Sequence, residues 1–132
     1  ARPRLKWARK CFADVPDGHW DFLENELVPY HETDRFIFVH AGVYHDTPMD
    51  EQPDNMLYWE FFPDAMRHYT GKTVICGHSS QRSGEPKVIP GAVCIDTHAY
   101  GGGWLTGLDV ENGKYWQVNP VGQVREGRVD YE

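Results

Sequence analysis

Short apolar runs along the chain predict a fold of several strands and few helices. Residues 17–30, DGHWDFLENELVPY, carry apolar side chains at spacings of three and four, which predicts a helix with Asp17 as its N-cap. Residues 35–39 are rich in β-branched and aromatic side chains and predict a buried strand. Thr73–Cys76 and residues 92–95 have the same character, so we expect two further strands there.

The segments between these runs predict loops and one interrupted helix. Residues 44–55 and 81–90 are rich in proline and polar side chains, which is typical of surface loops. Residues 56–69 have helical character, and Pro63 is expected to end its first part.

The last third of the chain predicts a hairpin followed by a tail. Asn-Gly at residues 112–113 separates the apolar runs 104–110 and 114–118, and this pattern is the strongest short signal for a hairpin. Residues 120–132 are polar, so we expect a weakly ordered tail. Strand, helix, strands and hairpin together predict one α/β or α+β domain of layered elements spanning residues 1–132. The expected positions of three tryptophans are the core or a sheet face: Trp59, Trp104 and Trp116.

Composition narrows the classes of partner. Hydrophobic residues make up 40% and aromatic residues 14%, which is too apolar for intrinsic disorder. The net charge of −7 makes the chain a poor non-specific binder of phosphate backbones, so we expect no nucleic-acid partner. No apolar run reaches the roughly 18 residues of a membrane span, and no apolar segment follows the basic N-terminus as in a secretory signal. We therefore expect no membrane partner.

The cysteines favour a reducing compartment. Three are present, Cys11, Cys76 and Cys94, and they cannot all pair within one chain. Cys76 and Cys94 lie inside apolar runs, where cysteine usually serves as a small buried hydrophobe. We therefore expect reduced core thiols and a cytoplasmic location.

Histidines follow the predicted strands. His40 comes directly after the strand at residues 35–39, and His78 follows Thr73–Cys76 after a single glycine. Ligand crevices of open α/β sheets lie beyond strand ends, and neutral imidazole is the commonest metal ligand. His40 and His78 are therefore candidate metal ligands, and the alternative for each is an ordinary hydrogen-bonded histidine at a strand end.

Three segments in order resemble motifs of the calcineurin-like metallophosphoesterases, in particular their bacterial serine/threonine phosphoprotein phosphatases. Residues 38–42, FVHAG, resemble that family's V-H-A-G segment. Residues 71–79, GKTVICGHS, resemble its G-K-T-V-x-x-G-H-T segment. Residues 94–97 and 102–108 resemble its closing I-D-T-G-A and G-G-x-L-T-x-L segments. The resemblance covers the chain from Phe36 to about Asn119.

This resemblance implies a metal-dependent phosphoric ester hydrolase with a mixed β-sandwich flanked by helices. It assigns His40 and His78 as ligands of one of two divalent cations, with manganese expected and iron, zinc or cobalt as alternatives. A hydroxide bridging the two cations would attack a phosphorylated protein or a small phosphate ester. An alternative substrate is a diadenosine polyphosphate.

The family's remaining site motifs do not occur in this chain. Gly-Asp-x-His-Gly, Gly-Asp-x-x-Asp-Arg-Gly and Gly-Asn-His-Glu, which supply the bridging Asp, the Asn ligand and the acid His, are all missing. The catalytic residues therefore stay unassigned, and the chain resembles the C-terminal half of such a domain. A half-domain would expose a sheet edge and an apolar face, so a homodimer is a further expectation. The competing hypothesis is a non-catalytic remnant or interaction module with the same fold.

Two departures from the motifs concern the substrate pocket. Phe61 stands where the family often carries a phosphate-gripping arginine, and His98 replaces the glycine of I-D-T-G-A. His98 and Tyr100 are candidate substrate-binding residues, with a plain loop histidine as the alternative for His98. A separate hypothesis is a mononuclear zinc site made by His40, His78 and His98.

Overall fold

Within residues 14–131, the part of the chain that the computed structural model describes, eight strands form two sheets. The larger sheet contains β1 (Tyr30–Glu32), β2 (Phe36–Val39), β3 (Thr73–Cys76), β4 (Lys87–Ile89) and β5 (Ala92–Cys94). The smaller sheet contains β6 (Leu105–Leu108), β7 (Lys114–Val118) and β8 (Val124–Arg128). The helices are α1 (Asp17–Asn25) and α2 (Asp54–Tyr58), with 3-10 turns at Met49–Glu51 and Ala99–Gly101. This mixed architecture of two sheets and few helices agrees with the α+β class.

The larger sheet has a parallel centre and antiparallel edges. Its order is β1-β2-β3-β5-β4, in which β2, β3 and β5 run parallel. Strands β1 and β4 pair antiparallel at the two edges. The three central strands are apolar because both faces of the sheet are covered, as is usual for parallel strands. Their carboxyl ends therefore meet along one edge of the sheet.

The two faces of the larger sheet are buried in two clusters. On one face, Ile37 and Val74 pack with Val43, Leu57 and Met66 from the segment that connects β2 to β3. The other face carries Phe36, Ile75 and Val93 and packs against the three-stranded sheet, where Tyr115 of β7 and Val129 after β8 complete a second cluster. The alternation of Phe36 and Ile37 between the two clusters follows the two-residue period of a strand.

Helix α1 is shorter than the predicted helix over residues 17–30. It ends at Asn25, its N-cap position is Pro16, and no side chain caps it. None of its residues is buried, and Leu23 of the predicted apolar face is half exposed. The prediction overextended the helix because Tyr30 instead pairs with β2 as the first residue of β1.

The predicted helix over residues 56–69 is also mostly wrong. Only α2 forms, and it ends before Trp59. Pro63 disfavours helical backbone at the residue before it. After Pro63, the backbone forms hydrogen bonds with other segments instead of within a helix. Met66 N–H donates to Pro90 O, and Tyr69 N–H donates to His45 O. Trp59, predicted in the core or on a sheet face, is 69% exposed.

The predicted strands and hairpin are confirmed, but strands β1, β4 and β8 were not predicted. Strand β4 lies inside the predicted loop 81–90. Strand β8 lies inside residues 120–132, where we expected a weakly ordered tail, and it pairs with β7 through five residues. Its alternation of exposed and half-buried positions carries no apolar run that would mark a strand. No helix among residues 14–131 has the length and apolar character to cross a membrane.

Candidate metal centre

His40 and His78 meet at the carboxyl edge of the larger sheet. His40 directly follows β2, and His78 follows the neighbouring parallel strand β3 after Gly77. The Nε2 atom of His40 lies 3.1 Å from the Nδ1 atom of His78, and the ring centroids are 5.0 Å apart. The prediction that these two imidazoles come together at adjacent strand ends is confirmed.

A backbone turn fixes the position of the His78 ring. His78 has a left-handed φ of 62°, which is uncommon for a residue with a side chain. The turn is held by Gly77 N–H, which donates to His40 O at 2.9 Å, and by Ser79 N–H, which donates to Gly77 O at 2.6 Å. The two histidine-bearing segments are therefore joined by a backbone hydrogen bond in addition to the contact between the two imidazole rings.

The spacing of the two nitrogens fits a shared divalent cation. When two imidazole nitrogens bind the same ion, each at about 2.1 Å, the nitrogens lie roughly 3.0–3.4 Å apart. The observed 3.1 Å falls in that interval and equally suits a hydrogen bond between the rings. Among residues 14–131, no group of three or more His, Cys, Asp or Glu side chains is placed to hold a metal ion. The pair therefore offers two ligands.

A largely apolar cavity of about 890 Å³ opens beside the pair. Its lining comes from β1, β2 and α2 and from residues that precede β1 or follow β2, α2 and β3: Leu27, Val28, Pro29, Tyr30, His31, Phe38, Val39, His40, Tyr58, Trp59 and His78. The rings of Trp59 and Phe61 lie 6.4 and 6.0 Å from the His78 ring, centroid to centroid. No Lys or Arg occurs among these described lining residues.

His98 lies outside this cavity and is held in its own loop. It has a φ of 67°, and its ring packs on Gly101, where a Cβ atom would lie 2.1 Å from His98 Nε2. The Tyr100 ring meets the His98 ring edge to face, with centroids 4.7 Å apart, and Tyr100 is 82% exposed. The hypothesis of a three-histidine zinc site is wrong for the described residues, because the loop turns His98 onto Gly101 instead of towards the pair. The roles of His98 and Tyr100 in substrate binding stay predictions.

The glycine triplet forms a tight turn whose donors are already used. Gly101 N–H and Gly103 N–H both donate to His98 O, and Gly102 N–H donates to Ala99 O. These donors are therefore not available to a phosphate group. Four acidic side chains of the loop after β2 are exposed: Asp46, Asp50, Glu51 and Asp54.

Asp96 links the turn that carries His78 to the loop that carries His98. Its carboxylate accepts from Ser80 Oγ at 2.9 Å and from His98 N–H at 3.1 Å. Its carbonyl accepts from Gln81 N–H at 2.7 Å. Sequence reasoning gave Asp96 no role, although it belongs to the I-D-T segment of the resemblance.

Two buried thiols lie directly behind this turn. Cys76 and Cys94 are free and buried, as predicted for core cysteines, whereas Cys11 lies outside the described residues. A hydrogen bond from Cys76 lowers the pKa of the Cys94 thiol to about 7, against the opposing effect of burial. The pKa of Cys76 is raised by the same hydrogen bond, by burial and by the charge of Cys94.

The chain matches no protein-family model, no curated protein and no solved structure. The resemblance to metallophosphoesterases therefore depends on the sequence motifs.

Proposed function

We propose that this chain is the histidine-bearing, C-terminal part of a metallophosphoesterase-like domain, in which a metal-dependent centre hydrolyses phosphoric esters. The observation that carries the proposal is the 3.1 Å approach of His40 Nε2 to His78 Nδ1 at the ends of adjacent parallel strands. This placement agrees with the V-H-A-G and G-H-T segments. The proposed substrate is a phosphorylated protein or a small phosphate ester, and the proposed location is the cytoplasm.

In this proposal, His40 and His78 hold one of two divalent cations. Cations held there would activate a water as the nucleophile and would neutralise charge that develops on the phosphoryl oxygens. Manganese is the proposed metal, and iron, zinc and cobalt suit imidazole ligands comparably. The protein's contribution is positioning, since the bond from Gly77 N–H to His40 O keeps the two strand ends in register. The aromatic rings of Trp59 and Phe61 give the His78 ring an apolar neighbour.

The described residues supply only part of this centre. A bridging carboxylate, an amide ligand and an acid for the leaving group have no counterpart in the sequence motifs of this chain. Hydrolysis therefore needs ligands beyond the two histidines. The two-ligand pair equally favours the second candidate, a non-catalytic module that keeps the fold.

The alternative substrate, a diadenosine polyphosphate, is supported by aromatic side chains in the cavity wall. Tyr30 and Trp59 give the cavity aromatic faces, and these suit the stacking of a nucleotide base. A diadenosine polyphosphate is therefore kept as the alternative substrate for the same centre.

Metal titration tests the proposal independently of turnover. We expect calorimetry with manganese, zinc and cobalt to detect binding to the whole chain, weakened at least about tenfold in His40→Ala and in His78→Ala. His98→Ala is the matched control, because this histidine lies outside the cavity, and it should bind metal as the parent chain does. Equal binding by all three variants would contradict the assignment of the pair.

A further inference from the structure

Cys76 and Cys94 occupy directly paired positions on neighbouring parallel strands. They are register partners in the β3–β5 ladder, and both side chains belong to the same core cluster. Neighbouring strands lie about 4.7–4.9 Å apart, which is within the Cα separation of about 4.4–6.8 Å that a disulfide requires. The backbone therefore already has the spacing that a bridge between them needs.

The Cys94 thiol also supports the turn that presents His78. Its Sγ atom donates to Gly77 O and to Ser79 O, each at 3.4 Å. These two carbonyls belong to the residues on either side of His78, whose backbone is left-handed. A change at the Cys94 sulfur is therefore transmitted through two contacts to the backbone of the histidine pair.

We propose that Cys76 and Cys94 form a redox-sensitive pair, which a small peroxide converts into a disulfide and which thereby loosens the turn that carries His78. This inference concerns a modification site and does not depend on the proposed hydrolase function.

The oxidation is a balanced two-electron step. One thiol loses its proton and attacks an oxygen of hydrogen peroxide, which gives a sulfenic acid and one water. The second thiol then attacks the sulfenic sulfur, the S–S bond forms, and a second water leaves. The two thiols together lose two electrons, and these reduce one hydrogen peroxide to two waters. The S–H donor that served Gly77 O and Ser79 O no longer exists after this step.

Burial decides which oxidant can act. Cys76 is 3% exposed and Cys94 is 0% exposed, so a bulky disulfide reagent has no surface to attack. Hydrogen peroxide is small and neutral, and brief local opening of the strand ends is enough to admit it.

Peptide mapping of the whole chain after peroxide treatment tests the pair. Trypsin releases Cys76 in the peptide 73–82 and Cys94 in the peptide 88–114, because Lys72, Arg82, Lys87 and Lys114 are the flanking cleavage sites. We expect the two peptides to be recovered as one linked species that separates on reduction with dithiothreitol. The parent protein suffices, so the result does not depend on the folding of a cysteine variant.

Cys11 provides an internal competitor in the same experiment. It lies in the peptide 11–35, so any linkage through it has a different mass. Linked species dominated by 11–35, or thiols oxidised singly with no link between 73–82 and 88–114, would overturn the proposal. A Cys11→Ser background should leave the linked species unchanged.

The effect on the turn has its own readout. We expect the imidazole proton signals of His78 to shift on oxidation and to return on reduction, as followed by nuclear magnetic resonance. His68 is the matched control, since its ring is hydrogen-bonded to Thr70 and Thr47 and not to the turn that carries His78. A disulfide that leaves the His78 signals in place would overturn the coupling to the turn.

Discussion

At the scale of single residues, two of the three histidines that lie beyond strand ends, His78 and His98, share an unusual backbone. Within residues 14–131, the residues other than glycine with positive φ are His78 and His98. A left-handed conformation costs of order 1–3 kcal/mol for such residues and persists only where surrounding bonds impose it. Around His98, Gly101 N–H and Gly103 N–H both donate to its carbonyl oxygen. Backbone bonds thus fix the direction of each ring.

Gly103 provides a residue-level test of this loop. A Cβ atom there would lie 2.5 Å from Thr97 O and 2.8 Å from His98 O, and both are backbone atoms that side-chain rotation cannot move. We expect Gly103→Ala to lower the free energy of unfolding by roughly 1–3 kcal/mol, as measured by urea denaturation. Gly107→Ala is the control, because its Cβ atom would meet nothing within 4 Å. Equal stabilities of the two variants would contradict the close approach.

Tyr115 makes the stability of the protein sensitive to alkaline pH. Its hydroxyl donates to the Glu85 carboxylate, and this bond, followed by burial, raises the pKa of Tyr115 above its usual value near 10. The stabilisation is complete below the unfolded-state pKa, because the phenol is then protonated in both states. Above about pH 10 the unfolded chain loses the proton first, so stability falls as pH rises towards the folded-state pKa.

The measurement is denaturant unfolding at a series of pH values from 8 to 11, compared between parent and variant. We expect Tyr115→Phe to show a shallower loss of stability above about pH 10 than the parent chain. Tyr100→Phe should keep the parent slope, because the Tyr100 side chain is exposed. A parent-like slope in Tyr115→Phe would rule out this source of the pH dependence.

At the scale of elements, one arginine connects the unpredicted strand β8 to the rest of the molecule. Arg125 lies over the Trp104 ring at 4.1 Å, donates to Gln117 Oε1 at 2.6 Å and donates to Gly84 O at 2.6 Å. It also forms an ion pair with Glu85 at 2.9 Å. Strands β6, β7 and β8 and the loop before β4 are therefore joined through a single guanidinium group.

Two arginine truncations separate this network from an ordinary surface pair. Arg125→Ala is expected to cost roughly 2–3 kcal/mol of unfolding free energy, because hydrogen bonds of a charged group and a cation–π contact are lost together. Arg35→Ala removes the same charge, but its ion pair with Glu111 is exposed and its guanidinium lies farther from a ring, 5.1 Å from Phe36, so we expect a cost of about 1 kcal/mol. Thermal and urea unfolding of both variants measure the difference. A cost for Arg35→Ala as large as that for Arg125→Ala would contradict the network.

The elements predicted from the sequence are those whose signal is local. Strands β2, β3 and β5 are continuous apolar runs because both faces of the sheet are covered, and the Asn-Gly turn marks its hairpin directly. Strand β8 exists through its pairing with β7 and through Arg125, and neither is a local property. The end of α1 was missed for a similar reason, since Tyr30 belongs to β1 through its pairing with Val39.

The candidate site follows the same division between local and distant causes. His40 and His78 were both predicted as ligands because each stands beyond a predicted buried strand, and ligand crevices of open α/β sheets lie beyond strand ends. His98 also follows a strand, but the position of its ring depends on the turn at Ala99–Gly101 and on contact with Gly101. That turn has no sequence signal strong enough to give a direction to one side chain.

At the scale of the whole molecule, one group of exposed apolar side chains lies beside the histidine pair. Leu27, Val28, Trp59 and Phe61 are all more than half exposed, and the first three line the cavity. Contiguous apolar patches of this kind mark surfaces that another polypeptide or a ligand covers. This arrangement favours the proposal that the chain is part of a larger domain, and it fits the small number of metal ligands among the described residues.

We expect this chain alone to hydrolyse phosphate esters at a negligible rate, even with added metal. His40 and His78 offer two ligands, and no group of three potential ligands exists among residues 14–131. Without a bridging carboxylate there is no shared hydroxide, and a missing acid at the leaving group typically costs a factor of about 10²–10⁴ in rate.

The assay uses p-nitrophenyl phosphate with manganese, zinc and magnesium, and it compares the parent chain with His78→Ala. We expect both proteins to stay at the background rate, while metal titration still distinguishes them through the lost imidazole. Turnover by the parent chain that disappears in His78→Ala would show that its own residues complete a catalytic centre. That result would contradict the half-domain proposal and leave the assignment of the histidine pair intact, because each is measured by a separate difference between the same two proteins.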